Sequence, residues 1–353
     1  VNVQTEQPEG TSRARNAGVV ERPTMKTLAE HVGVSRQLVS LVLRDLPGAS
    51  EETRAKVLAA AKEIGYYPDA SARALRGRRT FRLGVLFTMH QPFEVDLVEA
   101  LFGSAEKHGF SLILGPLSKE RSASKVVAEL LGQRIEALFV LAAEGGGSHV
   151  SDLPANIPVI MVGGPRSVES HDDLRVDDAA GTRMLVEHLI GLGHTRIAYV
   201  SGGEGPGSAV RRSAYEQAMA GAGLGHHMDV VGGDYSEEGG SRAAVEILNR
   251  KPLPTAIMAA NDRSAMGVLG TLVRRGLRVP EDISVVGFDD STLSSLPYVQ
   301  LTTVGFKPRD LTDRATAAMV RRLEDPSAPW LEHKETPHLV VRTSSGPPRG
   351  RAL

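Results

Sequence analysis

Within the stretch KTLAEHVGVSRQLVSLVLR, residues 26–44, Arg36, Gln37 and Ser40 fall on one side of a short helical repeat whose other side is Val39, Val42 and Leu43. Two of these groups match base edges: a guanidinium forks across guanine O6 and N7, a carboxamide across adenine N6 and N7. Further on, RALRGRRTFR, residues 73–82, puts five arginines in ten residues with no acid. Such a density suits contact with phosphate or, more plainly, a solvated linker. From residue 93 onward, single polar or aromatic groups stand just beyond short apolar runs. They are Phe93, Asp177 in RVDD, Arg211 in AVRRSAY, Tyr235 in GGDYS, Asn261 in AAND and Asp289 in GFDD. Carboxylates and Asn bond pairs of hydroxyls, Arg forks across two acceptors, and an aromatic ring covers the apolar face of a sugar.

Each of these residues also has a plainer role. Asp177 and Asp262 suit the caps of the helices that follow them, and Phe93 and Tyr235 suit a rim or a core. Asp289 beside Asp290 has the look of an acid/base pair, but neither a nucleophile nor a metal-ligand cluster accompanies it, so an enzyme is not expected. Nor is a cofactor or a metal. The chain has no cysteine, which excludes disulfides, thiolate zinc and a Cys nucleophile together. His226 and His227 lie in a Gly-rich loop and read as surface residues. GAGLG, residues 221–225, follows a helix instead of a strand, so it is a turn and not a dinucleotide fingerprint.

The elements that must position these groups are of two kinds. Thr24 can cap a helix from Met25 to about Val32, and Gly33 permits the positive φ of a tight exit. Ser35 can cap a second helix to about Leu43, and Ser50 a third, which has Glu51 and Glu52 at its positive end. Its expected apolar stripe is Val57, Leu58, Ala61 and Ile64, ending at Gly65. That is a helix-turn-helix pattern. From Arg82 on, LGVLF, FSLILG, ALFVLA, PVIMV, RIAYVS, TAIMAA and ISVVGF alternate with amphipathic stretches. Such alternation predicts parallel sheets covered on both faces, with a ligand cleft at the carboxyl ends of the strands.

The formal net charge is −1, yet residues 1–80 hold 13 Lys/Arg against 9 Asp/Glu and the remainder 28 against 33. Positive charge is therefore segregated toward the helical preface. The first twenty-odd residues lack the apolar core of a secretory signal, and no run approaches the roughly 18 apolar residues of a membrane span. A cytoplasmic protein without membrane contact is expected.

The run TMKTLAEHVGVSRQLVSLVLRDLPGASEETRAKVLAAAKEIGYYPDASARALRGRRT resembles, almost position for position, the DNA-binding headpiece of the lactose-repressor/galactose-repressor (LacI/GalR) family. GYYPDASARAL is similar to the family's hinge helix, with Pro68 just before it and Leu75 as the wedge residue of the operator's minor groove. VEHLIGLGHTRIAYVSGG, PTAIMAANDRSAMGVLGTLVRRGLRVPEDISVVGFDDS, LTTV and LVVRTSS resemble the family's effector domain, whose fold is that of periplasmic sugar-binding proteins. The resemblance implies an α/β chain: a three-helix helix-turn-helix headpiece with hinge helix, then an effector domain of two parallel-sheet subdomains. Expected bounds are a disordered tail 1–23, the headpiece 24–69, hinge helix and linker 70–81, effector and dimerisation domain 82–342, and a flexible tail 343–353. One subdomain is expected near 82–162 with 291–323, the other near 163–290 with 324–342.

It also implies function. The residues assigned to DNA are Thr24, Ser35, Arg36, Gln37, Ser40, Leu41, Arg44, Arg73, Leu75 and Arg76. Those assigned to a small-molecule effector, a sugar or related polyol, are Phe93, Asp177, Arg211, Tyr235, Asn261 and Asp289, at positions that commonly line the family's site. Departures are Leu41, able to meet thymine methyls only, and Arg44, suited to phosphate where the family often has Asn. QPFE puts Gln91 and Glu94 on a cleft wall where the family has N-P-F-F, and GFKP adds Phe306. The expectation is a sequence-specific regulator, a repressor, that binds a palindromic operator of double-stranded DNA as a homodimer. The alternatives are a regulator controlled by a protein co-repressor or by no effector, and a sugar-binding transport component.

Overall fold

The computed structural model describes residues 23–67, 79–118, 120–141, 156–163 and 171–349. Residues 1–22 of the expected tail 1–23, Arg73, Leu75, Arg76 and nearly all of the hinge segment lie outside the described residues. The chain divides into two compact units, the second of which starts at Arg79.

In the first unit, helices Met25–Val32, Arg36–Leu43 and Glu51–Glu63 form where the caps predict. The Thr24 hydroxyl accepts the Thr27 amide at 3.2 Å, Ser35 accepts that of Leu38 at 3.1 Å, and Ser50 that of Thr53 at 3.2 Å. Gly33 turns at φ 75°, which L side chains resist. Leu28, Ala29, Val39, Val42, Val57, Ala60, Ala61 and Tyr66 make the core. Leu58, expected on the buried stripe, is 50% exposed instead. One residue on from Val57 is a rotation of about 100°, which carries it off the face that Val57, Ala60, Ala61 and Ile64 share. Arg54 is a clamp and does not merely face solvent: Nη1 donates to Asp45 at 2.7 Å and Nη2 to the Leu46 carbonyl at 3.0 Å, tying down the exit of the second helix.

The second unit holds two sheets. The first comprises β1 Arg82–Thr88, β2 Ser111–Leu117, β3 Ala137–Leu141, β4 Val159–Val162, β5 Asp172–Val176 and β11 Glu332–Glu335, all parallel, in the order β11-β5-β4-β3-β1-β2. The second comprises β6 Ile197–Val200, β7 Met228–Val231, β8 Ala256–Ala259 and β9 Ser284–Val286, again parallel, in the order β7-β6-β8-β9. Each has a buried apolar cluster on either face, so both are covered on two sides. β10 Thr303–Gly305 and β12 His338–Val340 pair antiparallel as a separate ribbon.

The division into lobes differs from the expected one. β5 and β11 belong to the first sheet, so that lobe extends past residue 163 and reclaims 332–335. A buried ion pair holds this edge: Arg322 Nε meets Asp172 Oδ2 at 3.1 Å and Nη2 meets Oδ1 at 3.2 Å, with both side chains at most 3% exposed. Residues 291–305, expected to return to the first lobe, stay with the second. The Gly287 amide donates to Thr302 at 2.9 Å and that of Asp289 to Val304 at 2.8 Å. The return begins only with helix Pro308–Glu324. The chain thus crosses between lobes near 177, 306 and 336.

Residues 343–349, expected as part of a flexible tail, are pinned to the second sheet. The Val285 amide donates to the Ser344 carbonyl at 2.8 Å, and the Ser344 hydroxyl accepts the Thr302 amide at 2.7 Å while donating to the Val285 carbonyl at 2.6 Å. The Gly346 carbonyl accepts from His194 Nε2 at 2.8 Å. β9 is an edge strand whose free amides and carbonyls need partners, and the tail supplies them. Ser344→Ala, at a site 3% exposed, is expected to cost about 1–3 kcal/mol, measured as a lower midpoint in urea unfolding.

Candidate functional site

In the first unit, the helix Arg36–Leu43 exposes Arg36 and Gln37 to solvent at its first turn. Ser40, one turn on, is half-buried, and Arg44 is exposed at the exit. Thr24 and Ser35 are exposed, although their hydroxyls are spent as caps. Leu41 is half-buried and packs close to Gly48, where an added Cβ would stand 3.3 Å from its Cδ1. The exposed guanidinium and carboxamide thus project from the amino end of one helix, a geometry suited to entering a major groove.

Two arginines of the run 73–82 are engaged with protein instead of being free for phosphate. Arg79 bonds Glu136 through Nε at 3.1 Å and Nη2 at 2.8 Å and covers the Phe81 ring at 4.8 Å, while Arg82 Nη1 donates to the Gln133 carbonyl at 3.1 Å. Glu136 also accepts the amides of Thr80 and, at 2.9 Å, Phe81. Burial alone would raise its carboxyl, but the Arg79 bond and the two amides hold it below the usual range. The segment 79–81 is therefore buckled to β3's entrance, and the second unit begins three residues before the expected residue 82.

The second site collects at the carboxyl ends of β6, β7, β8 and β9. Arg211, in the first turn of helix Ser208–Gly221, lies in the middle. Its Nε donates to Asp178 Oδ1 at 2.8 Å, Nη1 donates to the Ala260 carbonyl, and Nη2 stands 3.6 Å from Asp289 Oδ1. The guanidinium lies 3.7 Å from the Phe288 ring centroid and 5.8 Å from that of Tyr235. Burial opposes its charge, but Asp178, with Tyr235 and Asp289, outweighs burial and keeps it protonated. Burial pushes the Asp289 carboxyl well above the usual carboxylate range, against the pull of Arg211. Asp262, just after β8, is pushed up to about 7 by burial although it accepts from Thr303 Oγ1 at 2.6 Å and from the Ser291 amide at 2.8 Å. Asp290 pairs with Arg342 at 2.7 Å.

The backbone is strained here as well. Tyr235, Asp289 and Asp290 take φ of 61°, 116° and 49°, at a cost of about 1–3 kcal/mol each. Gly305 is required opposite Asp290, because a Cβ there would lie 2.4 Å from the Asp290 Cβ.

Of the six residues assigned to a ligand, Arg211, Tyr235, Asn261 and Asp289 meet in this cluster. Asn261 caps helix Asp262–Arg274, accepting the Ser264 amide at 2.8 Å, and its Nδ2 donates to the Tyr235 carbonyl at 3.3 Å. Tyr235 is 7% exposed, its ring wedged against Gly202 and Gly205 and its hydroxyl bonded to the Pro206 carbonyl at 2.8 Å. Asp177 caps the next helix, accepting the Ala180 amide at 3.0 Å, so the plainer role accounts for that carboxylate oxygen. Phe93 belongs to the other lobe, edge-on to Phe306 at 5.5 Å. Glu94 is 2% exposed and accepts the Thr88 amide, so it does not colour an open cleft wall. Asp178, Asp262 and Asp290 had not been singled out as ligand residues. For Asp178 and Asp290 the signal is the doublets at 177–178 and 289–290, whose second members reading by strand ends leaves out.

A three-helix unit of helix-turn-helix form joined to a two-lobed, doubly covered α/β body with charged strand ends is the build of a ligand-responsive DNA-binding regulator. The pattern described as "bacterial regulatory proteins, lacI family" matches residues 24–69, and that of the "periplasmic binding protein-like domain" matches 186–345. The ribose operon repressor of Escherichia coli strain K12 is 31% identical over 91% of this chain and 99% of its own. A LacI transcriptional regulator from a Rhodococcus species superimposes with a TM-score of 0.73 at 35% identity, over 75% of this chain and 98% of that one. The lac repressor dimer bound to operator and the anti-inducer ONPF gives 0.75 at 27% identity, over 92% and 99%. The chain belongs to the LacI family of DNA-binding transcriptional repressors.

Proposed function

We propose that this repressor reads a palindromic operator through Arg36 and Gln37, with Thr24, Ser35, Ser40, Leu41 and Arg44 alongside, and is switched by a sugar held at Arg211, Asp289, Asn261 and Tyr235, with Asp177 and Phe93 at the margin. Arg73, Leu75 and Arg76, within the hinge helix and linker 70–81, are assigned to the DNA side from the sequence alone. The observation that carries the ligand site is Arg211: a guanidinium only 12% exposed, set between the Asp178 and Asp289 carboxyl groups and two aromatic rings. Such a set donates and accepts at once, as a polyol requires. A homodimer is supported by large apolar side chains exposed on both lobes, including Phe102, Val273 and Tyr298, and by the dimer that the lac repressor forms on its operator. Among the described residues no helix is long and apolar enough to cross a membrane, and we infer a cytoplasmic protein.

The mechanism is linkage. A ligand that binds one arrangement of the lobes more tightly than another shifts the population, and with it operator affinity. Calorimetry of the full-length protein against ribose, galactose and cellobiose, with operator binding measured in parallel, tests this reading. No binding by any sugar, together with binding by a phosphocarrier protein, would favour the co-repressor alternative. For the DNA side, Arg36→Ala or Gln37→Ala is expected to relax base preference at one position per half-site by about 1–3 kcal/mol. A uniform loss across all sequences in a binding-site selection would assign these side chains to phosphate instead.

A further inference from the structure

The lobe that carries Arg211 offers a ligand more negative than positive charge. Among the described residues joined at these strand ends, Arg211 and Arg342 stand with Asp177, Asp178, Asp262, Asp289 and Asp290. Burial raises the carboxyls of Asp262 and Asp289, yet with both protonated the remaining three carboxylates still outnumber the two guanidiniums. Neighbouring cations are matched: Arg263 meets Glu237 at 2.5 Å and Arg212 meets Glu216 at 2.8 Å.

Asp178 has the firmest hold on Arg211. It takes the Nε hydrogen at 2.8 Å, whereas Asp289 stands at 3.6 Å. Phe288 covers one face of the guanidinium and the Ala260 carbonyl takes Nη1, so Nη2, whose Asp289 contact at 3.6 Å is the loosest of the set, is the edge a ligand would engage. An anion arriving there would lie beside the Asp178 carboxylate, with the Asp289 carboxyl on its other side. Like charges about 4 Å apart repel by more than thermal energy even in water, and by more where water is sparse. A hydroxyl has no such penalty, since it donates to a carboxylate and accepts from Nη2.

We propose that Asp178 is a specificity-determining residue: by occupying Arg211 it reserves the site for uncharged polyhydroxylated ligands and rejects their phosphate or carboxylate forms. The proposal rests on the reading of these strand ends as the effector site. Asp178 opens the helix just past β5, at the first crossing between lobes, so its pairing also ties that crossing to the second lobe.

Calorimetric titration of the full-length protein with ribose, ribose 5-phosphate and inorganic phosphate tests it, in the wild type, in Asp178→Asn, and in Asp178→Asn combined with Arg211→Ala. The expected result is that Asp178→Asn tightens ribose 5-phosphate or inorganic phosphate at least tenfold, and that adding Arg211→Ala removes the gain. Unchanged anion affinity in Asp178→Asn overturns the proposal. So does a wild type that holds ribose 5-phosphate more tightly than ribose, a comparison needing no variant at all. A gain that survives Arg211→Ala places the anion elsewhere. By contrast, a sugar bound by the wild type with an affinity that Arg211→Ala leaves unmoved sinks the site reading itself, whatever Asp178→Asn does. Asp178→Ser, carrying the same expectation, serves if the Asn variant melts early.

Discussion

Replacing Arg211 by alanine is expected to abolish the response to effector while operator affinity without effector stays close to that of the wild type. Each charge-assisted hydrogen bond to the ligand is worth about 1.5–3 kcal/mol, so ligand affinity should fall more than tenfold. The helical unit that carries Arg36 and Gln37 forms its own core and keeps its contacts. The second unit also loses stability, because Asp178, a side chain 17% exposed, is left without its cation; breaking a fully buried pair costs about 3–5 kcal/mol, and this partly exposed one less. Electrophoretic mobility shift with and without sugar, beside a thermal melt, reads both effects. Full release at the wild-type sugar concentration would mean that the site lies elsewhere.

A second large effect is expected at the outer edge of the first sheet. Asp172→Ala strands the Arg322 guanidinium, which is 2% exposed, covers the Trp330 ring at 3.8 Å and is otherwise bonded to the carbonyls of Pro326, Ala328 and Pro329. The cost is again about 3–5 kcal/mol, and it should appear as a much lower urea midpoint. The Leu331 amide, which donates to Asp172 at 2.7 Å, loses its acceptor too, so docking of β11 should weaken first. Asp172→Leu with Arg322→Met removes both charges and is expected to recover part of the loss. A single variant as stable as the wild type would show that the pair contributes nothing.

What was legible in the sequence is what neighbouring residues decide. Thr24, Ser35 and Ser50 cap the helices that start at the next residue by accepting an amide three residues on, and Gly33 ends one, so the first unit is legible nearly residue by residue. The strands found in advance were those with continuous apolar runs, such as LGVLF and TAIMAA, because burial on both faces demands them. β5, DDLRV, and β11, EHKE, carry too much charge to announce themselves. Their pairing joins residues about 160 apart, which no local pattern encodes. Missing them misplaced the boundary between lobes.

The ligand cluster was legible as residue types at strand ends but not as partners. Arg211 and Asp289 were found because their chemistry is conspicuous. Asp178 was passed over because an acid at the first position of a helix is ordinary. Its significance comes from the guanidinium of a residue 33 positions away. The tail after Arg342 misled for a related reason: TSSGPP has the composition of a loose end, yet its serines and carbonyls complete the hydrogen bonding of β9.

That tail has a bearing on solubility. An uncovered strand edge is a template on which another chain can add its own backbone, and short apolar edges such as Ser284–Val286 are the usual starting points of sticky aggregates. Ser344 and Gly346 occupy this edge much as a selvedge finishes cloth, and Arg349 fastens the far end to Asp282 at 2.5 Å. A chain trimmed at Arg342 would keep every residue of the helical unit and of the Arg211 cluster and still leave this edge open to its neighbours.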